Sequence, residues 1–223
     1  MAISKHQPVR QVSLRREVRA DESRAKILAA AERAFAGEGL AGARTDAIAA
    51  EAGVNKALLY YYFKSKESLY EAVIEEQLRD FNVQALAILE APGSACVLLL
   101  RYLDLHFDFI SQRRQHAPLF QQLIMKGGSA PERLFRKYIV PRADAMRKLL
   151  VRGMRSGEFR KNDPFHTAIS IAALIVFYFA ASPMLQLMSD SDPYAPSNLR
   201  RRKQQVLDFV RYGLFVDPNV PAI

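Results

Sequence analysis

The sequence predicts an all-α protein: an N-terminal three-helix module with a helix-turn-helix, followed by a larger helical domain. Apolar residues recur at helical spacing along most of the 223 residues. No apolar run alternates with period two, and no Asn-Gly or Asp-Gly turn joins two such runs, so hairpins are not expected. Half of the residues are hydrophobic, enough to build a sizeable core and too many for a disordered chain.

The first module opens on a helical stripe. From Ser23 onward Ile27, Leu28, Ala31, Ala34 and Phe35 share it, and Gly37 and Gly39 offer its stop. Thr45 is expected to cap a short helix in which Ile48, Ala49 and Ala52 share a face. Gly53 is free to take the left-handed turn, Val54 is a small apolar plug, and Asn55 caps the next helix. That helix ends at Phe63, and Ser65 in SKES opens another through Leu69, Val73 and Leu78. Two short helices joined by a tight glycine turn make a helix-turn-helix. Leu59 and Phe63, four apart, pack back on Ile48 and Val54, while Lys56, Ala57, Tyr60 and Tyr61 point elsewhere. Displayed tyrosines suit DNA, because the ring meets thymine methyls and the hydroxyl bonds phosphate.

Charge agrees with an anionic partner. The net charge of +9 points to nucleic acid ahead of a membrane surface. Residues 1–20 carry Lys5, Arg10, Arg15, Arg16 and Arg19 against Glu17 alone, whereas residues 21–70 balance seven basic against seven acidic side chains. The leader is therefore expected to be a flexible basic arm, either solvated or laid along phosphates. It has no apolar core of a secretory signal, although its Arg-rich, acid-poor character resembles a transit peptide weakly. The single cysteine, Cys96, excludes an internal disulfide and fits a reducing, cytoplasmic setting.

The stretch ILAAAERAFAGEGLAGARTDAIAAEAGVNKALLYYYFKSKESLYEAV resembles the DNA-binding domain of TetR-type transcriptional regulators over about residues 24–73. The matching features are Phe35, Gly39, Thr45, Ile48–Ala49, Ala52–Gly53–Val54, Leu59–Tyr60, Tyr62–Phe63 and Ser65–Lys66–Glu67. The resemblance implies an all-helical homodimer, usually a repressor, whose larger domain binds a small molecule. It also implies roles: Thr45 on a phosphate, Lys56, Ala57 and Tyr61 in the major groove, Tyr60 and Tyr62 on backbone or base edges, and Lys66 on a phosphate at a helix start. Leu58 and Asn55 depart from the residues common there, which bears on the sequence of the double-stranded DNA operator.

The boundaries are set at 1–20 for the arm, 21–70 for the DNA-binding module and 71–223 for the ligand-binding and dimerisation domain. In that last domain a helix continues to Leu89, stopped by Pro92–Gly93, and others are expected over about 96–112, 118–126 and 131–155. RSGEFRKNDP then breaks the chain. Phe165 to Ser189 holds no Asp, Glu, Lys or Arg, long enough to weigh a membrane span. Pro183 should break it, and a helix apolar all round is equally suited to burial on both sides. With Leu199, Val206, Leu207, Val210 and Leu214 of the final helix, it is expected to form a four-helix dimer interface and no membrane anchor. The alternative is a membrane-tethered or adaptor protein using 165–189. Arg200 to Lys203 is expected to be a solvated face.

No catalytic, metal or cofactor motif is present: nucleophile elbow, phosphate-binding glycine loop, CxxC and HExxH are all lacking. Asp104 and Asp108 share a face from which His106 points away, and His116 lies further on. The candidate cavity residues, for an apolar or aromatic effector, are Tyr102, His106, Phe107, Phe120, Met125, Phe177 and Tyr178.

Overall fold

The computed structural model describes residues 8–114, 117, 120, 121, 125 and 127–220, with the backbone alone for 8–18 and 130. The described elements are helices, in the order α1 (Pro8–Gly42), α2 (Thr45–Glu51), α3 (Lys56–Phe63), α4 (Lys66–Leu89) and α5 (Ala95–Ser111). Next come α6 (Ser129–Leu134), a π turn (Phe135–Ile139), α7 (Val140–Arg155), α8 (Pro164–Ala180), α9 (Ser182–Ser189) and α10 (Pro196–Leu214). They form two compact units, Met1–Ile74 and Glu75–Ile223, with residues of α4 in both. The helix expected over 118–126, and His116, lie largely outside the described residues.

In the first unit, α1 reaches back to Pro8, so residues 8–20 are helical where a flexible arm was expected; residues 1–7 lie outside the described residues. The physical reason is local: proline suits a first helical turn, and VRQVSLRREVRADESRAK contains no glycine or further proline. The helical path is broken at Gly39, which takes φ 68°. Ile27, Leu28, Ala31 and Phe35 of α1 are buried, as are Ile48 and Ala49 of α2 and Leu59 and Phe63 of α3. Ser65 accepts a hydrogen bond from the Ser68 amide at 3.1 Å and so caps α4.

The second unit is built around α5, whose start is firmly fastened. Ser94 caps it, and Glu158 reaches across from the loop after α7 to accept from the Ser94 hydroxyl and the Cys96 amide, the latter at 3.2 Å. Burial pushes the Glu158 pKa up, but the hydrogen bonds from Ser94, the amides of Ala95 and Cys96, and Ser156 outweigh it and hold it below the usual glutamate value. Cys96 is buried, and burial raises its thiol to about 12, so it packs as a small apolar group. Asp104 and Asp108 do share a face, and both pair with Lys203 of α10, at 2.9 Å for Asp108. The run Arg200 to Lys203 is thus only half solvated: Arg202 donates to the Leu174 carbonyl at 2.6 Å and lies over the Tyr178 ring.

Two further differences have physical causes, in α7 and in α10, and the break that Pro183 predicts is made. The helix expected over 131–155 changes register at the π turn, where the Val140 amide bonds the Phe135 carbonyl just before Pro141. Proline has no amide to continue the ladder, and a π bulge absorbs the gap. The apolar stretch 165–189 splits at Ala181 into α8 and α9, bent by 69°, and no single described helix is long and apolar enough to cross a membrane. Val206, Val210 and Leu214 of α10 face their own core rather than a partner; the outward apolar residues are Phe209 and Tyr212, with Phe165, Ile169 and Phe177 on α8.

Gly153 of α7 lets the Phe159 ring pack where a Cβ would otherwise sit. Phe159 stacks on Phe215, ring centres 5.4 Å apart, and the two segments exchange backbone bonds at 2.9 and 3.0 Å (Arg160 to Leu214, Val216 to Glu158). Gly153→Ala therefore destabilises by about 1–3 kcal/mol despite alanine's better helix propensity. Urea unfolding measures it, and a midpoint equal to or above that of the unaltered protein contradicts the packing account.

Candidate nucleic-acid interface and effector cavity

The turn between α2 and α3 is made by Gly53 at φ 68°, a conformation that side chains resist, with the Val54 amide bonding the Ala49 carbonyl at 2.9 Å. Asn55 caps α3 by accepting from the Leu58 amide at 2.7 Å. Thr45 is the first residue of α2, and Arg44 stands at its cap without a side-chain bond, so the expected threonine cap is not made. The Thr45 hydroxyl lies instead 3.2 Å from the Tyr60 hydroxyl, joining the start of α2 to the middle of α3.

The three consecutive tyrosines have three fates. Tyr60 meets Thr45. Tyr61 is 69% exposed, with Lys64 5.5 Å above its ring. Tyr62 is half-buried and donates to the Ala20 carbonyl at 3.1 Å, tying α3 to α1 rather than standing free. Lys56 is exposed and paired with Asp46 at 2.7 Å; the bond and charge of Lys56 lower the aspartate pKa, and those of Asp46 raise the lysine's. So exposed a pair is readily exchanged for a phosphate. Ala57 is exposed beside it and Leu58 half-buried. Lys66 donates to the Ala41 and Ala43 carbonyls, each at 3.2 Å, which commits two of its protons within the unit. Two exposed cations join the residues expected from the sequence: Lys64, and Arg44, close enough to act on both Asp46 and Lys56. Their signal was position, one directly before Thr45 and the other directly after Phe63.

Within the second unit lies a cavity of about 460 Å³, in the range of small-molecule sites. Tyr102, His106 and Ile110 line one wall, spaced by four along α5. Leu78 and Phe81 come from α4, Arg142 and Met146 from α7, Ala168 and Ile171 from α8, and Phe120 closes a side. Phe81 is the hub, with ring centres 4.8 Å from His106 and 6.2 Å from Tyr102. Burial raises the Tyr102 pKa.

Of the seven residues expected here, Tyr102, His106 and Phe120 line the cavity. Phe107 follows His106 by about 100° around the helix and so packs into the core, edge-on to Phe179 at 5.1 Å. Met125 and Phe177 are exposed, and Tyr178 donates to the Pro193 carbonyl at 2.8 Å. Phe81 and Arg142 were missed. Arg142 was legible as a charge on the apolar stripe continued by Ala145, Met146 and Leu149.

The family described as bacterial regulatory proteins, tetR family, matches residues 27–73, and the tetracyclin repressor-like C-terminal domain matches residues 99–210. The transcriptional repressor NicS of Pseudomonas putida is 30% identical over 179 residues, covering 73% of this chain and 78% of that protein. The regulator RutR of Escherichia coli is 28% identical, covering 73% and 76%. The repressor SCO4008 of Streptomyces coelicolor is 38% identical over 86 residues, covering 39% of this chain; the match spans 43% of that protein, under half its length. Among solved structures, a transcriptional regulator from Saccharomonospora viridis in complex with choline has a TM-score of 0.72 at 20% identity, covering 87% of this chain and 98% of that one. The ketosteroid regulator KstR2 of Mycobacterium tuberculosis has a TM-score of 0.70 at 19% identity, covering 87% and 95%.

The different fates of Tyr61 and Tyr62 are separable by mutation. Tyr61→Ala lowers duplex DNA affinity at least about tenfold, the scale of one lost base contact, and leaves the melting temperature unchanged. Tyr62→Phe lowers stability by about 0.5–1.5 kcal/mol, as expected for one hydrogen bond. Parallel anisotropy titrations and thermal melts distinguish them, and an identical pattern for both variants contradicts the division.

Proposed function

The chain belongs to the tetR family of bacterial regulatory proteins, a family of DNA-binding transcriptional regulators, and from that premise we propose a ligand-responsive repressor that binds a palindromic operator as a homodimer. The observation that carries this reading is α3, which buries Leu59 and Phe63 and leaves Ala57 and Tyr61 facing solvent without a hydrogen-bonding task. Two such helices, one per protomer, enter successive major grooves about one helical turn apart. Lys56 leaves Asp46 for a phosphate, Thr45 and Tyr60 offer hydroxyls to the backbone, and Lys66 keeps a third proton for the same use.

The dimer is read from the outward apolar residues Phe177 on α8 and Phe209 and Tyr212 on α10. NicS and SCO4008, both named repressors, support the sign of regulation. The effector is a small, largely apolar molecule held in the cavity beside Tyr102, His106 and Phe120. It acts by binding one of two states of the dimer more tightly, and the favoured state no longer spans the operator. α4, with residues in both units, is the element through which the two sites communicate. The protein works in the cytoplasm, where its DNA is.

Anisotropy of a labelled duplex from upstream of the protein's own gene, with excess unrelated DNA present, tests the reading. Nanomolar binding that survives competitor is expected, with two protomers per duplex; binding abolished by competitor contradicts it. The basic leader is tested in the same assay. Replacing Arg10, Arg15 and Arg16 with glutamine leaves the Ala20 carbonyl in place for Tyr62 and flattens the log–log salt slope by up to about 0.9 per lost phosphate contact. An unchanged slope makes the leader a solvated one.

A further inference from the structure

We propose that the effector is a monocarboxylate, an apolar or aromatic body whose carboxylate sits on the Arg142 guanidinium. The inference rests on the reading of the cavity as the effector site and names the chemistry of its occupant.

Arg142 stands on the core-facing stripe of α7, one turn before Ala145 and Met146, and lines the cavity. All its described partners are neutral. It donates to Asn82 Oδ1 at 3.3 Å, lies 4.8 Å from the centre of the Phe81 ring and is close enough to Tyr102 to interact with its hydroxyl. Among the described residues no carboxylate lies within ion-pair distance of it, and the segment that supplies Phe120 contains no Asp or Glu between Asp108 and Glu132. The acid that does line the cavity, Asp144, is paired with Arg147 at 3.3 Å. Elsewhere in the unit Lys203 is matched by Asp104 and Asp108, and Glu75 by Arg133 and Lys137, while Arg152 and Arg202 rest on main-chain carbonyls outside this cavity.

Burial pulls the Arg142 pKa below the ordinary arginine value, with Tyr102 opposing, yet a guanidinium stays charged. A desolvated cation without a counterion is costly, and aromatic and amide partners offset only part of that cost. A carboxylate completes the site, because the guanidinium fork matches its two oxygens. One positive charge also selects the anion: a phosphate monoester, near two negative charges at neutral pH, would bury an unmatched one. The rest of the wall, with Phe81, Tyr102, His106 and Phe120, suits an apolar or planar body.

The test is calorimetry on the purified full chain with naphthoate, phenylacetate and cyclohexanecarboxylate, each against its neutral carboxamide. At least one acid should bind about tenfold to a hundredfold more tightly than its amide. In Arg142→Met, shown folded by its melting curve, that preference should fall to parity. Acids and amides bound equally by the unaltered protein overturn the proposal and leave the cavity reading standing. A preference that survives in Arg142→Met overturns it as well. No binding of any of the six at millimolar concentration removes the cavity reading together with it. If the variant fails to fold, the acid-to-amide ratio in the unaltered protein decides alone.

Discussion

Helix α5 buries eleven of its seventeen residues, and the second unit is arranged to cover it. A helix apolar on nearly every side cannot rest against one neighbour. Residues of α4, α7, α8 and α10 join it in one contiguous core. The cover is complete around Leu99 and Leu103, and it is fastened at the helix start by Glu158. It is incomplete along the line of Tyr102, His106 and Ile110, and the cavity lies there. The polar-tipped residues of α5 therefore sit where packing against a neighbouring helix is loosest. On its wet side the same helix carries Asp104 and Asp108, which fix α10 through Lys203.

The first unit solves the opposite problem with much less material. α3 has eight residues and buries two of them, so each remaining side chain must be either tied down or presented. The tyrosines divide that labour by angle. Successive residues point about 100° apart, so three in a row reach α2, solvent and α1 in turn. Charge is handled in the same economical way, since Lys56 rests on Asp46 when nothing else is offered.

Element type was legible in the sequence because helical periodicity is strong and the breakers, Gly39, Gly53, Pro92 and Gly157, stand between the stripes. The helix-turn-helix was legible down to Asn55 as a cap. What escaped was mostly a matter of which partner a side chain finds across space. Nothing local in SKES says that Lys66 will reach back to two carbonyls at the end of α1, or in YYYF that Tyr62 will reach Ala20. The stripe on α10 was correctly seen as apolar but assigned to the wrong neighbour, since periodicity identifies a buried face without saying what buries it. For the cavity, aromatic character alone was too permissive: Phe107 and Phe177 satisfy it and point elsewhere. A better signal was the misfit, a cation where the stripe of α7 calls for an apolar residue.

The two bonds from Lys66 to Ala41 and Ala43 close the end of α1 onto the start of α4, and Phe35 meets Tyr70 edge-on at 5.2 Å along the same pair of helices. One lysine and one aromatic pair thus fasten α4 to α1 on both sides of the break at Gly39, so the kink in α1 is held at each end by the same partner helix.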